Sequence, residues 1–162
     1  MTYLHSSIQT PMRTALKLML REFKATHILT LAFHEHINMK RATAKISRWH
    51  RNVMHRLFRR HCFEIPVGHT IEFLLLPEAG LANLHFHGVI RVPPTHLDYF
   101  ERYALPHWRR VANKGTIDFQ PIRPTDAERN EWFDYITKGT LAAEILHSSM
   151  LIDPDEQPVT LL

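Results

Sequence analysis

The chain has 162 residues, 44% hydrophobic and 22% charged, the proportions of a globular protein of one domain with a sizeable core. No apolar run approaches the roughly 20 residues that span a bilayer, and the single cysteine, Cys62, excludes an internal disulfide framework and a multi-cysteine zinc site. Lys and Arg outnumber Asp and Glu by 20 to 16, a net charge of +4, so a polyanion such as nucleic acid is the favoured partner class.

Ala15, Leu16, Met19, Leu20 and Phe23 recur at helical spacing and predict a helix over 12–23. Thr26 to Phe33 predicts a strand centred on Ile28-Leu29-Thr30-Leu31-Ala32-Phe33. The longest periodic segment runs from Lys40 to about His61. Ile46, Trp49, Val53 and Leu57 form its apolar stripe, which assigns Trp49 to the core, and Arg41, Lys45, Arg48, Arg56 and Arg59 populate the other side. That basic side reads either as a solvated helix face or as a phosphate-tracking one.

Ile71 to Leu76 predicts a central strand, and Pro77-Glu78-Ala79-Gly80 a turn into the strand 84–90, which Pro93-Pro94 ends. Thr95 is the expected N-cap of a helix from about His96 to Val111 that Pro106 breaks or kinks. Thr116 to Ile122 alternates as a strand, and Thr125 or Asp126 caps a last helix carrying Trp132, Phe133, Tyr135 and Ile136. The tail from Asp153, with Pro154 and Pro158, is expected to be irregular. This order predicts an α+β sandwich of the ferredoxin-like, split β-α-β kind over residues 1–152. Its antiparallel sheet would have about four or five strands, with helices packed on it. Residues 1–7 lack a basic stretch followed by an apolar one, so no secretory signal is expected. With one cysteine, a reducing, intracellular setting follows.

The chemistry concentrates in two places. In Leu84-His85-Phe86-His87-Gly88, strand alternation turns both imidazoles to one face and Leu84, Phe86 and Ile90 to the other. Two neutral imidazoles suit one divalent cation, and a metal so held keeps open positions for a phosphate oxygen. Tyr135, in Tyr135-Ile136-Thr137-Lys138, supplies a nucleophile, because a phenol can become covalently attached to phosphorus. Lys138 is expected one helical turn on, on the same face, where its charge stabilises a phenolate or a reacting phosphate. It also suits a helix C-terminus before Gly139. Phe133 and Ile136 are expected to face the core.

His34-Glu35-His36 repeats the histidine spacing around a carboxylate, but it falls where the first strand ends and reads as a solvated loop. Trp108, beside Arg109 and Arg110, is a candidate single-strand contact, and Arg48 a candidate phosphate contact. Cys62 is assigned no chemistry.

In these motifs the chain resembles the HUH endonucleases, of the rolling-circle replication initiator type. Leu84-His85-Phe86-His87-Gly88 is similar to their His-hydrophobic-His motif. Tyr135-Ile136-Thr137-Lys138 is similar to the single-tyrosine Tyr-x-x-Lys form of their tyrosine motif, and Ile28 to Phe33 to their first, apolar motif containing Thr. The three stand in the family's order over residues 28 to 138. The resemblance implies a sequence- and strand-specific nickase in which Tyr135 attacks a phosphodiester of single-stranded DNA at a replication origin. Tyr135 would keep the 5′-phosphate and release a 3′-hydroxyl, while His85 and His87 hold Mg²⁺ or Mn²⁺ and Lys138 positions or neutralises the phosphate. A third, acidic or polar ligand is implied from just upstream: Glu78 first, Glu72 second, Asn83 third. Tyr99 and Tyr103 are not placed as a second nucleophile. No Gly-x-x-x-x-Gly-Lys-Ser/Thr segment follows, so unwinding is expected from a host helicase, beside a host polymerase, in the cytoplasm of a plasmid- or phage-bearing prokaryote. Two alternatives stand beside this: a non-catalytic nucleic-acid-binding module on the same scaffold, and a transposase- or relaxase-type enzyme of the same family.

Overall fold

A computed structural model describes residues 5–59, 65–66, 68–79, 83–138 and 145–151. Its elements run α1 (His5–Glu22), β1 (His27–Ala32), α2 (Met39–Phe58), β2 (Glu72–Ala79), β3 (Leu84–Arg91), a 3₁₀ turn (Pro94–His96), α3 (Leu97–Val111), β4 (Thr116–Pro121), α4 (Asp126–Ile136) and β5 (Leu146–His147). The strands form one sheet in the order β4-β1-β3-β2-β5, every neighbouring pair antiparallel. The crossovers β1-α2-β2 and β3-α3-β4 each skip one strand. The fold is therefore α+β and compatible with the ferredoxin-like split β-α-β sandwich, to which α1 and β5 are additions.

Strand alternation gives the sheet two faces with different coverings. Leu29, Leu31, Phe33, Phe73, Leu75, Phe86 and Ile90 point to one face, where they meet Ala42, Ile46, Trp49 and Val53 of α2 and Phe100, Ala104 and Trp108 of α3. The Trp49 indole N–H donates to the Ala104 carbonyl at 2.8 Å and ties the two helices together. On the other face Leu74, Leu76 and Val89 pack against Leu16 and Leu20 of α1 and Phe133 and Ile136 of α4. No helix among the described residues is long and apolar enough to cross a membrane.

Several local expectations change. Pro77, Glu78 and Ala79 do not turn; they extend β2 and pair with Phe86, His85 and Leu84. Proline fits there because β5 pairs only Leu74 and Leu75, which leaves the rest of β2 an edge strand. The α1 helix starts earlier than Met12 and runs through Pro11. Pro106 does not end α3, since its ring is on the exposed side, where the Arg102 carbonyl it strips of a partner can meet water. Thr95 is not the cap of α3: its hydroxyl bonds His96 Nδ1 at 2.8 Å, and the helix starts after a 3₁₀ turn. Thr125 does cap α4, in a reciprocal box with Glu128. His61, Cys62, Gly80, Gly139 and the tail from Asp153 lie outside the described residues.

One polar group in the core makes folding sensitive to pH. His50, 2% exposed on α2, donates from Nε2 to the Ile71 carbonyl at 2.9 Å and stands edge-on to Phe73. Burial pushes its pKa down to about 4. The unfolded chain takes up this proton below the ordinary 6.5 and the folded chain only near 4. Stability from this group is thus complete above pH 6.5 and is lost as pH falls toward 4, by about 3 kcal/mol over the window. Chemical denaturation at pH 7 and pH 5 is expected to show about 2 kcal/mol of that loss. His50→Gln keeps a donor for Ile71 and should flatten the dependence; an unaltered slope in that variant would assign it to other groups.

Candidate metal and nucleophile site

On the face covered by α1 and α4, register aligns the polar residues into rows. Thr116, Ala32, His85 and Glu78 stand side by side across four strands, and Asp118, Thr30, His87 and Leu76 form the next row. Of the sheet residues that α1 and α4 bury, Leu76 shares the His87 row while Leu74 and Val89 lie further along the strands, and Tyr135 near the end of α4 reaches His87. His85 and His87 have ring centroids 6.1 Å apart, and His87 Nε2 lies 2.8 Å from a Glu78 carboxylate oxygen. One donor atom from each of Glu78, His85 and His87 lies within 4.8 Å of the others. A cation bonded at roughly 2.0–2.2 Å needs its donors no more than about 4.4 Å apart, so small side-chain rotations complete the set. Two nitrogens and one carboxylate, open to one side, fit a divalent ion with free coordination positions.

Among the described residues this is the one group of three or more His, Cys, Asp or Glu side chains with such spacing. Of the two carboxylates expected as a third ligand, Glu78 joins this group and Glu72 does not. Glu72 pairs with Arg91 and accepts from the Gly68 N–H at 2.8 Å at the far end of β2, six residues or about 20 Å from Glu78. Asn83 stands just before β3. His34, Glu35 and His36 form an irregular segment after β1, with Glu35 paired to Lys45 and His34 Nε2 3.1 Å from the Thr116 hydroxyl.

His87 has a second partner that sequence reading missed. The Thr30 hydroxyl, directly opposite on β1, lies 3.0 Å from His87 Nδ1. A hydroxyl both donates and accepts, so Thr30 can accept a hydrogen bond from the Nδ1–H when Nε2 gives its lone pair to a cation. Thr30→Val, similar in shape, is expected to weaken Mn²⁺ binding about 10- to 100-fold by calorimetric titration, with Thr30→Ser close to wild type. Equal affinities for all three would show that Thr30 only packs.

Tyr135 comes to the same place from the other side of the chain. The Thr125 box starts α4, Phe133 and Ile136 bury its inner side, and Tyr135, 59% exposed, is left on the outer side. Its ring stands 6.2 Å from His87 at 77°. Arg13 of α1 anchors this end of α4, donating to the Asp134 carboxylate and the Asp134 carbonyl at 2.9 Å each. Lys17 pairs with the same carboxylate and, as the largest influence, lowers the Asp134 pKa. Lys138 is not on the helix: α4 ends at Ile136, Thr137 is its C-cap, and exposed Lys138 follows in the turn, its N–H donating to the Tyr135 carbonyl at 3.3 Å.

The candidate nucleic-acid contacts divide. Arg48, Arg109 and Arg110 are exposed. Trp108 offers no face for a base: it is 0% exposed, edge-on to Phe33 and Trp49 in the core. Phe100, Ala104 and Trp108 form the buried stripe of α3 at four-residue spacing, a signal present in the sequence. Compared with protein-family models, with curated proteins and with solved structures, the chain matches none.

Proposed function

We propose that this chain is a metal-dependent, strand-specific nickase and strand transferase for single-stranded DNA, acting in rolling-circle initiation. The observation that carries this reading is the packing of Tyr135, from α4, against His87 of the His85–His87–Glu78 group. Phosphoryl transfer needs a nucleophile and a phosphate-binding electrophilic centre within one reaction distance.

His85, His87 and Glu78 would hold Mg²⁺ or Mn²⁺, which when bound supplies Lewis-acid polarisation of the scissile phosphate. The Tyr135 phenol oxygen forms the new bond to phosphorus as the bond to the 3′ oxygen breaks. The phenolic proton leaves to solvent, to which this exposed side chain has access, and the departing 3′ oxygen takes up a proton, so charge balances. One phosphate ester replaces another, and the same groups run the step backward to join a strand. Lys138, three residues after Tyr135 in the turn that ends α4, would supply a cation to offset charge on the phosphate. The host helicase and polymerase belong to this proposal.

Labelled single-stranded origin oligonucleotide and Mn²⁺ mixed with the protein should give a covalent adduct on denaturing electrophoresis, abolished by chelation. Absence of adduct with every origin strand tried overturns the nickase and leaves a binding module.

A further inference from the structure

Behind the sheet, on the side away from the histidines, α2 and α3 leave a groove of about 390 Å³. Arg56, Arg102 and Arg110 line it, and no carboxylate does. Of the two acids of α3, Asp98 sits in its first turn and Glu101 acts on His27 of β1, and neither lines the groove. Tyr99 and Tyr103 stand together in the groove with centroids 4.2 Å apart and rings tilted by 36°, and the Arg56 guanidinium stands 4.8 Å from the Tyr103 ring centre. Tyr103 is 42% exposed, so part of its ring is open to solvent. His107 and Asn52 close the floor, 3.0 Å apart. The Asn52 amide donating to Nε2 requires a neutral imidazole, in keeping with a His107 pKa lowered by burial first and then by Arg110, Arg48 and Arg56.

We propose that this groove binds single-stranded nucleic acid, with a base stacked on the Tyr99–Tyr103 pair and the flanking phosphates on Arg56 and Arg110. Guanidinium groups match phosphate oxygens two at a time, and aromatic faces accept any base. The neutral His107 and Asn52 pair offers polar contacts to a base edge without adding charge. The volume suits one nucleotide of a longer strand. This groove, rather than Trp108, supplies the aromatic partner for the basic surface of α2 and α3. Binding at the groove is independent of nicking chemistry, because the sheet separates it from Tyr135.

The test is fluorescence anisotropy of a labelled ten-residue oligothymidylate with the full chain in chelator, so that neither metal nor covalent capture contributes. Arg56→Ala/Arg110→Ala should lose at least about tenfold in affinity, and the slope of log K against log salt should shrink by about 1.4, two phosphate contacts' worth. Tyr103→Ala should lose about tenfold with the slope unchanged. The arginine pair replaced by lysines should keep the slope, which separates charge from a folding defect. Unchanged affinity in the arginine and tyrosine variants overturns the groove. So does an undiminished affinity in Tyr103→Ala with equal binding of an acidic peptide, since the groove would then sense charge alone. Adduct formation by the wild type with unaltered oligothymidylate binding in the groove variants sinks this inference only; groove-dependent binding without adduct sinks the nickase only.

Discussion

Tyr135→Phe is expected to form no covalent protein–DNA product, a fall of at least roughly 10⁴-fold in nicking, while its melting temperature and Mn²⁺ affinity stay at wild-type values. The substitution removes one hydroxyl from a ring that is 59% exposed, so no buried hydrogen bond is broken, and surface changes of this kind move stability by no more than about 0.5 kcal/mol. Phenylalanine keeps the edge-to-face contact with His87, so the His85–His87–Glu78 group keeps its geometry. What disappears is the oxygen proposed to bond to phosphorus. Tyr99 and Tyr103 cannot replace it, because they belong to α3 on the other side of the sheet. Peptide mapping of the wild-type adduct should place the nucleotide on Tyr135. Adduct persisting in the variant would assign the nucleophile to another residue and leave Tyr135 as a packing side chain.

Local rules made the histidine pair legible. Period-two alternation alone puts His85 and His87 on one face and Phe86 in the core, and the structure has them so. Helical spacing does the same for Tyr135, which falls off the face that Phe133 and Ile136 bury and is 59% exposed. What joins these pieces depends on pairing between distant segments, which a single sequence does not carry. The proline and glycine around Glu78 predict a turn carboxylate near the histidines; it is instead the cross-strand neighbour of His85 in an edge strand. Thr30 reaches His87 across 57 residues of chain, and only the β1–β3 register reveals it. Leu146 and His147 form a strand too short for any periodicity. Trp108 was misread for a different reason: its arginine neighbours drew it to the surface, while its spacing from Phe100 and Ala104 placed it inside.

The glycine that follows the histidine pair has an equally large expected effect, on the fold rather than the chemistry. Gly88 pairs with Leu75 in the middle of the β2–β3 ladder and is buried. A Cβ there would overlap the Leu74 carbonyl oxygen and stand 2.8 Å from Leu75 Cα. Both are backbone atoms of a paired strand, so no side chain can rotate away. Relief requires β2 to move off β3, which breaks ladder hydrogen bonds and carries Glu78, three residues beyond Leu75, away from His87. Gly88→Ala is therefore expected to destabilise by about 3 kcal/mol or more. In a domain of this size that lowers the melting temperature by roughly 10 °C. Any folded fraction should bind Mn²⁺ more weakly, since the candidate ligands Glu78, His85 and His87 come from both strands. Gln120→Ala, on the exposed edge of β4, is the matched control and should stay within about 0.5 kcal/mol. If Gly88→Ala melts within 2 °C (about 0.5 kcal/mol) of wild type, the close strand approach is not what requires glycine here.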